Sequence, residues 1–337
     1  MPDLTGVTIL MGTCTSLIWF ALHAWRAESH LLRWGVGGLA SLLAVVASLL
    51  AVLSISGLSR AHARSAPVPE VKITGTAAQI QRGQAIVDSF CSACHSKADR
   101  LTGGRDMGKD LSIPIGSFVS SNLTPAGQLR HWSDGEIFRA IRNGIDADGR
   151  WLVIMSYTNA GKLSDEDIES LIAYLRSQPA AGAATVSPPD QFSLLGLVML
   201  GAGLLPTGKP VFAGVVTAAP KAPTVEYGEY LSSYQDCREC HGADLNGGKP
   251  GQVAPVGPGL NLVKQWNLEE FINTMRTGTD PYGHHLGDQM PWRFIGRMDD
   301  EALTALYEYL THGRDSRSAA ANEAGDGSSA VCRQSKR

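Results

Sequence analysis

The pentapeptide Cys-x-x-Cys-His occurs twice in this chain of 337 residues, as Cys91-Ser-Ala-Cys94-His95 and as Cys237-Arg-Glu-Cys240-His241. In this motif two thiols can add to the vinyl groups of a haem, while the adjacent imidazole becomes an axial ligand of the iron. A chain that carries the motif must fold around the cofactor, which constrains it more than any other feature. We therefore predict two covalently bound haem c groups.

Two other chemistries use paired cysteines at this spacing. Four thiolates could hold a structural zinc ion, and a redox-active dithiol has the same Cys-x-x-Cys spacing. Zinc would leave His95 and His241 without a role, and it would require a pocket that joins two segments about 140 residues apart. A redox dithiol belongs to a βαβ context, whereas the flanking residues here favour helices. The haem interpretation is therefore preferred.

The two motifs begin an internal repeat that also contains a methionine. Met155-Ser-Tyr aligns with Met290-Pro-Trp, and the alignment continues without a gap to the end of each unit. A thioether at these positions can be the second axial ligand, and His/Met ligation raises the reduction potential of the iron. Met107 is an alternative ligand for the first haem, since it follows His95 by only 12 residues.

A helix is predicted ahead of each methionine. Residues 133–136 (Ser-x-x-Glu) and 267–270 (Asn-x-x-Glu) have the pattern of a capping box. Gly144 and Gly278 then predict where the two helices end. Each unit should therefore place a short amphipathic helix between its haem motif and its methionine.

The first 60 residues contain two apolar runs without formal charge. Residues 6–25 and 34–58 are each long enough to cross the hydrocarbon core of a bilayer as a helix. The start of the chain has no positive charge, which is atypical of a cleaved signal peptide. We therefore predict two retained transmembrane helices in residues 1–60, embedded in a bacterial cytoplasmic membrane. Because haem c is attached outside that membrane, the haem domains should lie on the periplasmic side.

Basic residues leave the orientation of the hairpin open. Arg26 and Arg33 fit a cytoplasmic turn between the two helices, as the positive-inside rule prefers. Arg60, Arg64 and Lys72 follow the second helix and would then lie on the outer face. Because haem c is attached outside the membrane, we nevertheless expect the chain that follows the second helix to lie on the outer face.

Composition divides the remaining chain into four segments. We predict haem domains at residues 75–180 and 222–312, an apolar linker at 181–221 and a disordered tail at 313–337. Within the linker, residues 191–208 are uncharged but rich in glycine. A single crossing there would leave the second haem domain in the cytoplasm, so the alternatives are a helix at the membrane interface, a helix on a partner subunit or a buried interdomain segment. The net charge of −3 gives no reason to expect a nucleic-acid partner.

Both units resemble class I c-type cytochromes in the haem motif, the downstream methionine and a C-terminal Leu-x-x-Tyr-Leu segment. The resemblance implies an all-α fold with two tandem cytochrome c domains after the N-terminal helical hairpin. It also implies that the first helix of each domain, at 77–90 and 225–234, crosses the last helix. The crossings are expected at Gly83 against Tyr174 and at Gly228 against Tyr309.

The same resemblance implies a ligand set for each iron. His95 with Met155 would hold the first iron, and His241 with Met290 the second. In this family a proline carbonyl often accepts the second N–H of the proximal histidine, which fixes the imidazole ring. Pro258 resembles that residue, and Pro114 is a weaker counterpart in the first unit.

Residues 121–125 (Ser-Asn-Leu-Thr-Pro) and 131–136 (His-Trp-Ser-Asp-Gly-Glu) are similar to segments of the multihaem cytochrome subunits of membrane-bound bacterial dehydrogenases. Those proteins relay electrons from a partner into the respiratory chain. The chain departs from them in having two haem motifs instead of three, an N-terminal anchor, and Ser156 where a proline is expected. Its partners would be membrane-bound redox proteins, namely a dehydrogenase, a quinol-oxidising complex or a terminal oxidase.

Two functions of different classes are consistent with these features. The first is single-electron transfer through two six-coordinate haems, with no catalytic residues. The second is a dihaem redox enzyme of the peroxidase or thiosulfate-oxidising type, which would need an accessible iron and groups that move protons. His131, His284 and His285 could move protons, but their surroundings favour solvated surface positions. A methionine ligand in both units favours electron transfer.

Overall fold

The computed structural model describes residues 2–111, 113–183, 188–252 and 254–313, and over these ranges the fold is helical apart from one small sheet. The predicted all-α class is confirmed. The α-helices are α1 (Pro2–Ala24), α2 (Gly37–Ala61), α3 (Ala77–Ile86), α4 (Ser92–His95), α5 (Asp134–Asn143), α6 (Val153–Tyr157), α7 (Asp165–Ser177), α8 (Leu194–Gly201), α9 (Val225–Tyr234), α10 (Cys237–His241), α11 (Leu268–Thr277), α12 (Trp292–Ile295) and α13 (Asp300–Thr311). The strands β1 (Gly116–Ser117) and β2 (Gln191–Phe192) pair antiparallel, with Gly116 opposite Phe192.

The chain separates into two compact units. Unit 1 comprises Met1–Lys72, Arg100–Tyr157 and Pro179–Ala213, and unit 2 comprises Ile73–Asp99, Thr158–Gln178 and the chain from Gly214 onward. The first haem motif therefore falls in unit 2 together with the second one, whereas Met155 falls in unit 1. The tail predicted at residues 313–337 lies, beyond Gly313, outside the described residues.

In unit 1, α1 and α2 form a pair of long apolar helices. Leu4–Ala24 and Leu32–Ala61 are long and apolar enough to cross a membrane by length and composition. The side of α2 that is buried carries small residues at intervals of three or four, which lets another helix approach closely. These residues are Gly37, Ala40, Ala44, Ala47, Ala51, Ser54 and Gly57. The two helices predicted for residues 1–60 are present.

The linker contributes α8, which packs on the end of α2. A Cβ atom on Gly57 would lie 2.0 Å from the carbonyl oxygen of Leu197, and one on Gly201 would lie 1.9 Å from that of Leu53. Only glycine at both positions allows the backbones to come this close. Leu197 and Leu200 are buried. Residues 194–201 thus form a helix that packs on α2, and the location of residues 191–208 relative to the membrane stays a prediction.

Two arginines near the end of α2, Arg60 in its last turn and Arg64 just after it, donate to backbone carbonyls of unit 1. The Arg60 guanidinium donates to the Leu200 carbonyl oxygen at 2.8 Å, near the C-terminal end of α8. The Arg64 guanidinium donates to the carbonyl oxygens of Asn143 at 2.6 Å and Lys209 at 2.8 Å. Leu200 and Asn143 lie at the C-terminal ends of α8 and α5, where carbonyl groups lack intrahelical partners, so each arginine donates to an acceptor at a helix end.

In unit 2, two pairs of helices cross at glycines. A Cβ atom on Gly83 in α3 would lie 2.0 Å from the Ser170 carbonyl oxygen and 2.9 Å from Cβ of Tyr174 in α7. A Cβ atom on Gly228 in α9 would lie 1.9 Å from the Ala305 carbonyl oxygen and 2.7 Å from Cβ of Tyr309 in α13. Both crossings expected from the sequence are therefore present.

Candidate haem sites

The second motif places its three functional side chains on one turn of helix. Cys237, Cys240 and His241 lie within α10, at positions i, i+3 and i+4, and therefore share one face. The helix begins after Asp236, whose φ of 58° is left-handed and starts the turn abruptly. The two thiols and the imidazole can thus reach one flat ligand from the same side.

The imidazole of His241 is held by a proline carbonyl. Its Nδ1 atom lies 2.7 Å from the carbonyl oxygen of Pro258, and the side chain is only 6% exposed. A Cβ atom on Gly257 would lie 2.8 Å from the ring, so glycine is required there for the loop to approach. When Nδ1 carries the hydrogen and donates it to the carbonyl, Nε2 is left as the nitrogen that can bind a metal.

The first motif has the same local form. A π-helical turn, Val87–Cys91, is followed directly by α4, so Cys91, Cys94 and His95 again fall on one turn. The carbonyl of Pro114 accepts a hydrogen bond of 2.8 Å from the Ser193 hydroxyl in unit 1. A role for Pro114 toward His95 stays a prediction.

The chemistry of the thiols argues against a redox-active dithiol. Burial, reinforced by the neighbouring Cys94, raises the pKa of Cys91 to about 12. Burial likewise raises the pKa of Cys237 to about 11. A redox-active dithiol depends instead on a lowered pKa. Within the described residues, which include both motifs, no three or more His, Cys, Asp or Glu side chains are arranged to hold a metal ion.

The helix predicted ahead of each methionine is present in both units. Capping boxes at Ser133 and Asn267 open α5 and α11, with reciprocal bonds to Glu136 and Glu270. The helices end at Gly144 and Gly278, with left-handed φ values of 61° and 71°.

A matching turn then leads from each helix toward the methionine. The N–H of Gly149 donates to the Asp146 carbonyl and that of Gly283 to the Asp280 carbonyl, each at 3.0 Å. Leu152 and Leu286 next donate back to the glycines that end α5 and α11, each at 2.8 Å. Met155 follows Leu152 by three residues, and Met290 follows Leu286 by four. The two methionines therefore follow the same structural motif.

The two methionines differ in local backbone. Met290 lies in a turn, whereas Met155, which we expected in a loop, lies in the short helix α6. The N–H of Ser156 donates to the Leu152 carbonyl at 3.0 Å and closes a helical turn around Met155. Pro291 at the aligned position has no N–H and cannot make this bond. Both methionines are half-buried.

The second domain also contains two indole donors that the sequence did not single out. The Nε1 atoms of Trp266 and Trp292 are buried and have no hydrogen-bond partner within the described chain. An unmade bond from a buried donor costs about 1–3 kcal/mol. Two such donors in one small domain indicate that an acceptor from a bound group belongs beside them. The sequence signal that could have singled them out is their position: Trp266 directly precedes the capping box at Asn267, and Trp292 follows Met290 by two residues.

Both predicted haem domains match known protein families. The family described as "Cytochrome C oxidase, cbb3-type, subunit III" matches residues 78–175. The family described as "Cytochrome c" matches residues 225–314.

Curated relatives are named as subunits of dehydrogenases. The chain is 32% identical over 152 residues to a nicotinate dehydrogenase subunit of Pseudomonas putida, which covers 43% of this chain and 12% of that protein. It is 27% identical over 268 residues to the gluconate 2-dehydrogenase cytochrome c subunit of Pantoea cypripedii, which covers 69% of this chain and 59% of that subunit. It is 26% identical over 246 residues to the fructose dehydrogenase cytochrome subunit of Gluconobacter japonicus, which covers 68% of this chain and 47% of that subunit. The chain thus spans about half the length of the two cytochrome subunits.

Two cytochrome c domains imply two covalently bound haem c groups. The side chains of the second domain fit that group: two thiols and a proline-held imidazole share one face, and two buried indole N–H groups lack an acceptor within the described chain. The carboxylates of a haem are acceptors of the required kind. Which residues of the first domain complete its site stays a proposal, with His95 and Met155 as the ligands.

We expect Met290→Leu and Met155→Leu each to convert one haem to a high-spin or hydroxide-ligated form with a lower reduction potential. Leucine keeps the bulk of the side chain but has no sulfur to bind iron. Visible spectra and redox titrations would measure both effects. Met298→Leu is the matched control, because Met298 is 4% exposed and lies in the core. An unchanged spectrum in Met155→Leu would assign the first haem to Met107 or a histidine.

Proposed function

Because residues 78–175 and 225–314 are two c-type cytochrome domains, we propose that this chain is the membrane-tethered electron-transfer subunit of a membrane-bound dehydrogenase. It would accept single electrons from the partner's cofactor and pass them to the respiratory chain on the periplasmic side. The observation that carries the proposal is the pair of haem-attachment turns, each with a histidine followed by a methionine. The names of the relatives, which are cytochrome subunits of dehydrogenases, support the class of partner.

When bound, haem iron supplies a one-electron couple between its ferric and ferrous states. The chain's own residues determine how that couple behaves. Pro258 orients His241 and increases its basicity through the Nδ1 hydrogen bond. A thioether ligand, supplied by Met290 or Met155, would favour the ferrous state and raise the potential. The proximal imidazole of His241 is itself buried, at 6% exposed.

The two apolar helices explain how such a subunit would meet its partners. A protein held in the same membrane as its partners has a high effective concentration near them. Weak and rapidly exchanging contacts then suffice for electron transfer, as in other redox encounters. The helices Leu4–Ala24 and Leu32–Ala61 satisfy the length requirement for crossing. The outer location follows from the chemistry of haem attachment and is part of the proposal.

The alternative function, a dihaem enzyme, needs groups that move protons at an open iron site. The three candidate histidines are exposed and bond to near neighbours. His131 contacts the Arg130 guanidinium at 2.8 Å, His284 contacts the Asp280 carboxylate at 3.1 Å, and His285 contacts the Thr279 hydroxyl at 3.0 Å. Their positions favour surface roles. The relatives are electron-transfer subunits, which favours the relay.

The test of the relay is purification from mild detergent, identification of what purifies with the chain, and stopped-flow kinetics. We expect a dehydrogenase in the preparation, and we expect its substrate to reduce both haems only when that dehydrogenase is present. The reduced protein is then mixed with peroxide and the oxidised protein with thiosulfate, each without partner. Turnover on the order of 10 per second with either small molecule would refute the relay and establish the enzyme.

A further inference from the structure

The two haem-attachment segments contact each other inside unit 2. The ring of Phe90, the residue before Cys91, meets the ring of Tyr234 edge to face, with centroids 5.7 Å apart. Tyr234 ends α9, three residues before Cys237. The side chain of Gln235 also reaches the Ser89 hydroxyl at 3.5 Å. The residues that lead into one motif therefore pack on those that lead into the other.

The tyrosines of α9 form the surface that makes this contact. Tyr227, Tyr230 and Tyr234 occupy positions i, i+3 and i+7 and are at most 8% exposed. Their ring centroids are 6.2 and 5.3 Å apart, so the three rings and Phe90 form a continuous row. On the same helix, Gly228 allows the close crossing of α9 with α13. Helix α9 is thus packed both within its own domain and against the segment of the first motif.

A buried carboxylate fixes the middle of the row. Asp167 in α7 is 2% exposed and accepts hydrogen bonds from the Arg82 guanidinium and the Tyr230 hydroxyl. The N–H of Ser164 donates to the Tyr230 oxygen at 2.9 Å. Burial, together with the charge of Asp167, raises the pKa of Tyr230. Its hydroxyl therefore stays protonated and keeps donating. A buried carboxylate with two partners from different helices tolerates little displacement.

A second polar contact lies directly at the second motif. The backbone N–H of Asn159 and its side-chain amide both donate to the Asp236 carboxylate at 2.7 Å. The same amide donates to the Glu239 carboxylate at 2.9 Å. Asp236 immediately precedes Cys237, and Glu239 lies between the two cysteines. The contact therefore acts on the haem-attachment turn itself.

We propose that the tyrosine row, the Asp167 cluster and the Asn159 contact form a rigid joint that holds the two attachment turns at one fixed separation, so that an electron exchanges directly between the two haems of one chain. The electron exchange rests on the proposed function, whereas the contacts that form the joint do not depend on it. Electron-transfer rates fall steeply with distance, so a fixed separation would give this exchange the same rate in every molecule. Tyr230, Asp167 and Asn159 are positioning residues in this scheme.

The test compares the full-length holoprotein with the double variant Tyr230→Phe/Asn159→Ala. The change removes the hydroxyl donor to Asp167 and the side-chain amide donor to Asp236 and Glu239, but it keeps the aromatic ring and the backbone N–H of residue 159. Tyr282→Phe is the matched control, since Tyr282 is 64% exposed. Pulsed electron paramagnetic resonance measures the distance between the two ferric irons. We expect one narrow distribution in the parent and the control and a broadened one in the double variant.

The second measurement is the rate of electron equilibration between the haems after flash reduction of part of the sample. We expect at least a tenfold decrease in the double variant, with the visible spectrum and potential of each haem unchanged. A broad distance distribution in the parent, or an unchanged rate in the double variant, would overturn the joint. If the double variant does not fold, Phe90→Leu, which removes only the ring contact with Tyr234, must show the same decrease.

These readouts separate the joint from the proposed function. A protein with a narrow iron–iron distance that no dehydrogenase reduces would refute the relay and leave the joint intact. A protein that a dehydrogenase reduces, but whose irons show a broad distance distribution, would refute the joint and leave the relay intact.

Discussion

The double variant Cys237→Ala/Cys240→Ala is expected to carry one haem c instead of two. Without thiols at these positions no thioether can form in the second domain. The mass of the denatured polypeptide should exceed the apoprotein mass by one haem instead of two, and the haem c absorbance should fall by about half. The domain of residues 225–314 should also lose order, because a domain this small depends on the cofactor for much of its core.

Two controls make this result specific. Cys91→Ala/Cys94→Ala should remove the other haem and leave the second. Cys14→Ala should leave both haems, because Cys14 lies in α1 and outside either motif. Attachment of two haems in the Cys237→Ala/Cys240→Ala protein, or recovery of zinc in place of iron from the unaltered protein, would remove the basis of the cytochrome assignment.

Gly228→Ala is expected to lower the free energy of unfolding by about 3 kcal/mol. The added Cβ would lie 1.9 Å from the Ala305 carbonyl oxygen, which belongs to helix backbone and cannot move aside. Alanine gains about 1 kcal/mol in helix propensity over glycine, so the measured loss is what remains after that gain. Denaturant titration of the holoprotein would measure it, together with the fraction of chains that retain the second haem.

Gly287→Ala is the matched control, since no atom lies within 4 Å of its added Cβ. We expect its free energy of unfolding to change by less than about 0.5 kcal/mol. Gly83→Ala should reproduce the loss at the other crossing, where the Ser170 carbonyl oxygen lies 2.0 Å from the added Cβ. If Gly228→Ala were as stable as Gly287→Ala, the close crossing of α9 and α13 would be wrong.

Features with a local signal could be predicted from the sequence. The capping boxes at Ser133 and Asn267 and the helix ends at Gly144 and Gly278 each depend on neighbouring residues, and all four are present. The crossings at Gly83 and Gly228 could be expected because they accompany the haem motif in a recognisable fold.

Features that join distant segments were not predicted. Asp167 stands near the start of a helix among other acidic residues, where a solvated side chain is the usual outcome. It is buried because Arg82 and Tyr230 arrive from two other helices. The tyrosines of α9 have a visible helical period, but the period alone cannot tell a domain's own core from a surface that packs on another segment. The close contact of Gly57 with Leu197 in α8 likewise joins positions 140 residues apart.

The arginines at the end of α2 have a consequence for how the chain enters the membrane. With the outer orientation proposed above, Arg60 and Arg64 are charges that the translocation machinery resists moving across. In the folded protein they bond the carbonyls of Leu200, Asn143 and Lys209. Biogenesis and folding therefore place opposite demands on the same two side chains. Neutral replacements would ease membrane insertion, but they would remove the hydrogen bonds to Leu200, Asn143 and Lys209. These two positions therefore balance correct membrane insertion against the stability of the folded protein.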